Sequence, residues 1–343
     1  MPPADVTLPQ LALSRSILDR RADLRGDPDL LPRLLADPAT RVLRLVGDRV
    51  AVEATGDGGT RVVLTPPEPA DDGRLAVHLG EAGGRAHLGV VADDRADAVA
   101  DDRADAVADD RADAVADARA DAVADARADA VADDPAWRTL RQVGADLDDL
   151  GASAFATVLA LANWHRTHGH CPRCGATTMP ALGGWIRRCP ADGSEHYPRT
   201  DMAVIMAVVD ADDRLLLARG RGFRGNGMSV LAGFVEPGET LAAAVTREVA
   251  EEVGVEVTDV TYLGDQPWPF PSSLMLGFRA RALGTELRLQ ADEIEAARWF
   301  RRDELAAALA DGSVAVSGRI SISRRIIEHW YGAPLTSPET PLR

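Results

Sequence analysis

Cysteine is scarce in these 343 residues: there are three, Cys171, Cys174 and Cys189, all in one short segment. An odd number crowded together argues against a disulfide framework and for metal ligation. No run of about 18 apolar residues occurs, which excludes an ordinary membrane-spanning helix. The first twenty residues lack the basic start and apolar stretch of a signal peptide. A cytoplasmic protein with no membrane partner is the resulting expectation. Nor is there a basic stripe of the kind that tracks nucleic acid; the net charge is −16. That acidity is local, because 15 Asp against 5 Arg between positions 91 and 134 supply −10 of it, so the total says little about partners.

The acidic segment is an octapeptide repeat, RADAVADD or RADAVADA, marked by Arg95, Arg103, Arg111, Arg119 and Arg127. Eight residues turn an α-helix through about 800°, so Val99, Val107, Val115 and Val123 build no continuous stripe and the repeat is not a coiled coil. Its composition predicts a solvated spacer, disordered or partly helical. The chain is long enough for two or three folded units. Before the repeat, Arg41–Ala54 and Thr60–Leu64 read as strands between Gly and Asp. After it, Trp137–His165 reads as a helix with Leu140, Val143, Leu147 and Leu150 followed by Phe155, Val158, Leu159 and Leu161.

Cys171-Pro-Arg-Cys174-Gly is a turn that points two thiolates at one tetrahedral ion, and Cys189 returns in a strand-like context. This predicts a structural Zn2+ site. The position where a second CxxC would place its last cysteine holds Asp192, so the fourth ligand is Asp192, His196, an upstream histidine such as His170, or water.

Residues 233–255, GFVEPGETLAAAVTREVAEEVGV, contain the strongest chemical pattern. Val230–Val235 reads as a strand, Pro237-Gly238 as a turn, and Glu239 onward as a helix ended by Gly254. On a helical wheel with Arg247 at zero, Glu251 falls near 40°, Glu248 near 100° and Glu252 near 140°, while Leu241, Val245, Val249 and Val253 span roughly 120–240°. Glu251 can pair with Arg247 four residues earlier, as an ordinary solvated face would. Glu248 and Glu252 instead border the buried stripe. Crowded carboxylates there make sense if Mg2+ or Mn2+ neutralises them, holds diphosphate oxygens and lowers the pKa of an attacking water.

The same residues match Gx5Ex7REUxEExGU through Gly233, Glu239, Arg247, Glu248, Glu251, Glu252 and Gly254, with Val249 and Val255 at the apolar positions. The chain thereby resembles the Nudix hydrolases. Downstream, Asp265-Gln-Pro-Trp-Pro-Phe-Pro-Ser-Ser273 resembles the SQPWPFPxS signature of their NADH pyrophosphatase family, with Asp265 in place of Ser. Met202 and the absent fourth cysteine are the other departures. The likeness covers nearly everything after about residue 135, including ALANWH, HYPR at 196–199 and DEIEAARWF at 292–300.

The resemblance implies an α+β multidomain fold. Residues 1–167 would form an N-terminal α+β domain interrupted by the spacer at 91–134. A zinc ribbon would follow at 168–200, an α/β/α Nudix sandwich at 201–335, and a flexible tail at 336–343. It implies a homodimeric hydrolase that cuts the diphosphate of NAD(H) into AMP and nicotinamide mononucleotide, some members acting on NAD-capped RNA. Glu248, Glu251, Glu252 and Glu293 would carry Mg2+ or Mn2+. Phe234 and Tyr197 would hold the nicotinamide ring, Tyr197 from the partner subunit, and Trp268, Ser273 and Met275 would line the substrate pocket. Three prolines stiffen the Trp268 loop, so a ring stacking there loses little entropy; the alternative is a loop made rigid for stability. Competing readings are a Nudix hydrolase for another nucleoside diphosphate derivative such as ADP-ribose, and a non-catalytic nucleotide sensor. The latter has no need of the full set of carboxylates.

Overall fold

The computed structural model describes residues 7–9, 11–56, 58–92, 136–223 and 225–336. The repeat and all of the expected tail beyond its first residue lie outside the described residues.

In the N-terminal part, β1 (Arg41–Val46), β2 (Arg49–Ala54), β3 (Thr60–Val62), β4 (Ala76–Ala82) and β5 (Arg85–Val91) form a sheet in the order β3-β2-β1-β5-β4. A sixth strand, β6 (Trp137–Thr139), adds to β2. The two-residue period of a strand sends Leu43, Leu45, Val77 and Leu79 to one face, and Val42, Ala76, Leu88 and Val90 to the other. Leu31, Leu34 and Leu35 of α1 (Leu30–Ala36) cover the second face.

The single helix expected over Trp137–His165 is instead β6, a short α2 (Leu140–Val143) and a long α3 (Asp149–Thr167). The cause lies in capping. Thr139 and Gln142 form a reciprocal capping box, and Asp148 accepts the Gly151 N–H at 2.7 Å. Both caps need non-helical backbone, so the chain must leave the helix and restart it. α3 then lays Phe155, Val158, Leu159 and Ala162 on the first face of the sheet.

A three-stranded antiparallel ribbon follows, made of β7 (Met179–Ala181), β8 (Ile186–Arg188) and β9 (Glu195–His196). It is tied to α3 through buried His165, whose Nε2 lies 2.8 Å from the Gly184 carbonyl and whose Nδ1 lies 3.0 Å from Arg187 Nη1. Arg187 also donates to Thr178 Oγ1 and O. These contacts require a neutral ring with its proton on Nε2.

The C-terminal part is an α/β/α sandwich. Its strands are β10 (Asp201–Val209), β11 (Leu215–Gly220), β12 (Leu231–Phe234), β13 (Val257–Trp268), β14 (Ser273–Ala282) and β15 (Ile294–Phe300). They order as β13-β14-β10-β11-β15 with β12 on β10. β10 reads as a continuous apolar run because both of its faces are covered. Val204, Met206 and Val208 meet Val245, Val249 and Val253 of α4 (Leu241–Val253). Ile205, Ala207 and Val209 meet α5 (Arg302–Ala310) and α6 (Ile322–Tyr331) through Leu305, Ile322, Ile326 and Trp330. Burying each α4 valine contributes about 1.5–3 kcal/mol, which fixes the rotation of that helix about its axis.

Candidate active site

α4 begins two residues later than the expected Glu239, because Thr240 is the cap and accepts the Ala243 N–H. It ends at Gly254, whose φ of 71° is the left-handed conformation that closes a helix. Glu239, left outside the helix, instead receives Arg247 at 2.9 and 2.8 Å. Arg247 also donates to Glu248 at 2.8 Å, Glu251 at 3.0 Å and the Phe234 carbonyl at 2.9 Å. One guanidinium thus fastens the helix to the turn before it and to β12, and its pKa is raised first by Glu239 and then by Glu248 and Glu251, against its own desolvation.

The order of burial follows the helical wheel. Glu251 is exposed, Glu248 is half-buried and Glu252 is 7% exposed. Gly233 of β12 is required by this arrangement, since a Cβ there would stand 1.9 Å from the Glu248 carboxyl carbon. Burial pushes Glu248 up. It pushes Glu252 up to about 9, with Glu248, Glu293 and Glu251 adding repulsion. Glu252 Oε2 has no hydrogen-bond partner. The Gln290 N–H donates to the Glu252 carbonyl at 3.0 Å, carrying the turn that bears Glu293 to the end of α4. An ionised, buried and unpartnered oxygen beside other carboxylates is costly alone and favourable around a hard dication, so the residues present fit Mg2+ or Mn2+.

Glu252 and Glu293 line a cleft of about 1340 Å3, whose wall also contains Phe234, Trp268, Ser273 and Met275. The structure therefore brings six of the expected site residues to one cavity. Glu248 and Glu251 are held by Arg247, and Tyr197, 65% exposed, lies outside the lining, its hydroxyl donating to Glu195. Sequence reasoning missed the contribution of the N-terminal part: Arg141, Asn163, Trp164 and His168 also line the cleft. Asn163 Nδ2 donates to the carbonyls of Pro269 and Pro271 at 3.0 and 3.1 Å. Arg166 donates to Asn163 Oδ1 and so sets the amide's orientation. The Arg141 guanidinium lies 3.9 Å from the Phe270 ring centroid, and Trp268 meets Phe270 edge-on at 4.8 Å. Gln266 is fully buried, accepting from Leu13 N–H and donating to the Ile320 carbonyl. The rigid aromatic loop is thus both a wall of the cleft and a packed joint between the two halves. ALANWH, already part of the resemblance, was the available signal for Asn163.

Away from the cleft, ligand atoms of Cys171, Cys174, Cys189 and Asp192 all lie within 4.8 Å of one another. Two matching turns build the cluster: Cys171 O accepts Gly175 N–H at 2.8 Å, and Cys189 O accepts Gly193 N–H at 3.0 Å. Neither His196 nor His170 belongs to it; His196 Nε2 lies 3.1 Å from Ser194 Oγ. Three soft thiolates with one carboxylate suit Zn2+.

Comparison with known proteins identifies the two domains that carry these residues. Residues 199–317 match the NUDIX domain, and residues 166–197 match the NADH pyrophosphatase zinc ribbon domain. The NAD-capped RNA hydrolase NudC of Mycobacterium bovis (strain BCG / Pasteur 1173P2) is 46% identical over 202 residues, 56% of this chain and 64% of that protein. Its counterpart from Stutzerimonas stutzeri (strain A1501) is 40% identical over 206 residues, 60% of this chain and 71% of that protein. A solved NUDIX hydrolase from Nitrosomonas europaea aligns with 48% of this chain and 94% of its own at 21% identity and a TM-score of 0.35. With both domains, their order and the Stutzerimonas relative in agreement, the chain belongs to the NADH pyrophosphatase family of Nudix hydrolases.

Proposed function

We propose that this protein hydrolyses the diphosphate bond of NAD(H), adding water across the P–O–P bridge to give AMP and nicotinamide mononucleotide. One observation carries the reading: a single cleft joins the buried, unpartnered Glu252 carboxylate to the aromatic side chains of Trp268 and Phe234. Glu248, Glu251, Glu252 and Glu293 would hold Mg2+ or Mn2+, which when bound neutralises diphosphate charge and makes water acidic enough to attack. Trp268, Met275 and Phe234 give the flat base and nicotinamide rings apolar surfaces, and Ser273 gives a hydroxyl. Glu252, at the cleft wall, is the group to accept the proton of the attacking water.

A second reading, NAD as the cap of an RNA, is favoured by the names of the Mycobacterium and Stutzerimonas relatives. The matched segment spans 64% of the former and 71% of the latter. A homodimer that uses the exposed Tyr197 ring, and a cytoplasmic location, belong to the same proposal; among the described residues no helix is long and apolar enough to cross a membrane.

The test is a panel of NADH, NAD+, ADP-ribose and NAD-capped RNA, each with Mg2+ and with Mn2+, scored for AMP and nicotinamide mononucleotide or the corresponding RNA end. NAD(H) or its cap is expected to give the highest kcat/KM. Preference for ADP-ribose, or no turnover of any of the four, overturns the assignment.

A further inference from the structure

The ribbon cluster departs from four cysteines, and its geometry identifies what replaces the missing thiolate. Thiolates at about 2.3 Å from a tetrahedral Zn2+ stand about 3.8 Å apart, and a carboxylate oxygen at about 2.0–2.2 Å stands slightly closer to its neighbours. Cys174 Sγ and Cys189 Sγ are 3.5 Å apart, and Cys171 Sγ is 3.7 Å from Asp192 Oδ2. These two spacings are near the edges of such a tetrahedron, with the sulfur pair somewhat closer than a bound ion would hold it.

The two oxygens of Asp192 are in different situations. Oδ1 receives both the N–H and the hydroxyl of Ser194, at 2.9 and 2.5 Å, while Oδ2 is the oxygen near Cys171 Sγ. Without a cation, three sulfurs and a carboxylate within 4.8 Å gain little from such proximity; around a dication the arrangement is favourable.

We infer that Asp192 is the fourth zinc ligand, binding through Oδ2 alone, and that Ser194 is its positioning residue. Engaging Oδ1 with two donors turns the carboxylate and disfavours bidentate binding. It is the role that a carboxylate or carbonyl plays behind a metal-bound histidine, here played by a hydroxyl and an amide. The oxygen corner is the harder and less tightly held of the four, so the ion leaves past Asp192.

Zinc content, cobalt spectra and the rate of zinc transfer to a coloured chelator test this in the full-length protein, without reference to catalysis. Wild-type protein purified without chelator is expected to hold one zinc per chain. Cobalt-substituted protein is expected to show thiolate-to-cobalt absorption for three sulfurs, rising by about a third in Asp192→Cys, which adds a fourth sulfur ligand. That variant should also release zinc more slowly than wild type. Asp192→Ala should release it about 10-fold faster or more, Ser194→Ala by a smaller factor in the same direction, and His196→Ala at the wild-type rate. The inference is overturned if Asp192→Cys leaves the cobalt absorption unchanged, if Ser194→Ala releases zinc no faster than wild type, or if His196→Ala accelerates release while Asp192→Ala does not. Because Asp192→Cys supplies a stronger ligand, its outcome stands even where Asp192→Ala fails to fold.

Discussion

Two parts of the cleft wall treat their polar atoms in opposite ways. On the side supplied by α4 and the Glu293 turn, Glu252 presents an oxygen with no partner, in a place where burial and three other carboxylates oppose its charge. On the side supplied by α3, Asn163 has its amide nitrogen on two proline carbonyls and its oxygen on Arg166, while neighbouring His165 is bonded through both ring nitrogens. The first side is incomplete until a cation arrives; on the second, Asn163 and His165 are satisfied as folded, and Trp164 Nε1 is the buried polar atom left without a partner. A site for charge transfer needs the former, and a surface that holds rings in register needs the latter.

The comparison breaks most visibly at Glu252. Glu252→Gln keeps size and helix propensity while removing the charge that a cation or a proton would meet. With NADH at saturating Mn2+ or Mg2+, kcat should fall roughly 10²–10⁴-fold. The metal-free melting temperature should hold or rise, because the variant removes a carboxyl whose ionisation its surroundings resist. A variant retaining more than about a tenth of wild-type kcat would show that the chemistry lies elsewhere.

Why this side was legible and the other was not follows from range. Everything that places Glu248 and Glu252 is written within 23 residues: the valine period, Thr240 and Gly254 as ends, and Arg247 as the clasp. A helical wheel needs nothing more. The α3 side depends on contacts such as Asn163 to Pro269 and Pro271, which span 106 and 108 positions, and on docking that no local pattern encodes. The error over Trp137–His165 has a different, local cause: apolar spacing ran through residues 144–148 and hid two capping signals that the sequence does contain. In the ribbon, both Asp192 and His196 stood at acceptable spacing; the turn geometry and Ser194 separate them.

On the α3 side the largest expected effect is on acid stability. Burial, aided by Arg187, lowers His165 to about 4, below its ordinary value near 6.5. Its neutral form is what the fold holds, so the contribution is fully present above about pH 6.5 and is lost as pH falls toward 4, on the order of 3 kcal/mol. Melting curves of wild type should therefore decline more between those limits than those of His165→Gln, which can still donate to the Gly184 carbonyl. Parallel curves would mean that His165 is not the proton-linked group.

Asn163 should give a smaller and differently shaped effect. Asn163→Ala removes two hydrogen bonds that hold the loop, each worth about 1 kcal/mol, so KM for NADH is expected to rise roughly 10-fold while kcat changes less than about twofold. Asn163→Asp sets a carboxylate against two carbonyls and should be no better than alanine. An equal fall in kcat for both variants would place Asn163 with the chemistry rather than with ring binding.

The smallest effect belongs to the acidic repeat. The chain enters it from Ala92, whose N–H donates to Leu45 O at 2.7 Å, and returns at Ala136, whose carbonyl accepts Val52 N–H at 2.7 Å. Both ends are thus pinned to β1 and β2 of one sheet. Residues 93–132 contribute no continuous apolar stripe, and burial of apolar surface is the main route by which a segment stabilises a core. Replacing them with a Gly-Ser linker of about twelve residues, enough to join two points on one sheet, should leave NADH turnover within about threefold and shift the melting temperature by no more than a few degrees. Loss of folding would show that the repeat packs on the N-terminal sheet. Loss of turnover with the fold intact would instead bring the repeat to the cleft, adding a third contributor to its wall.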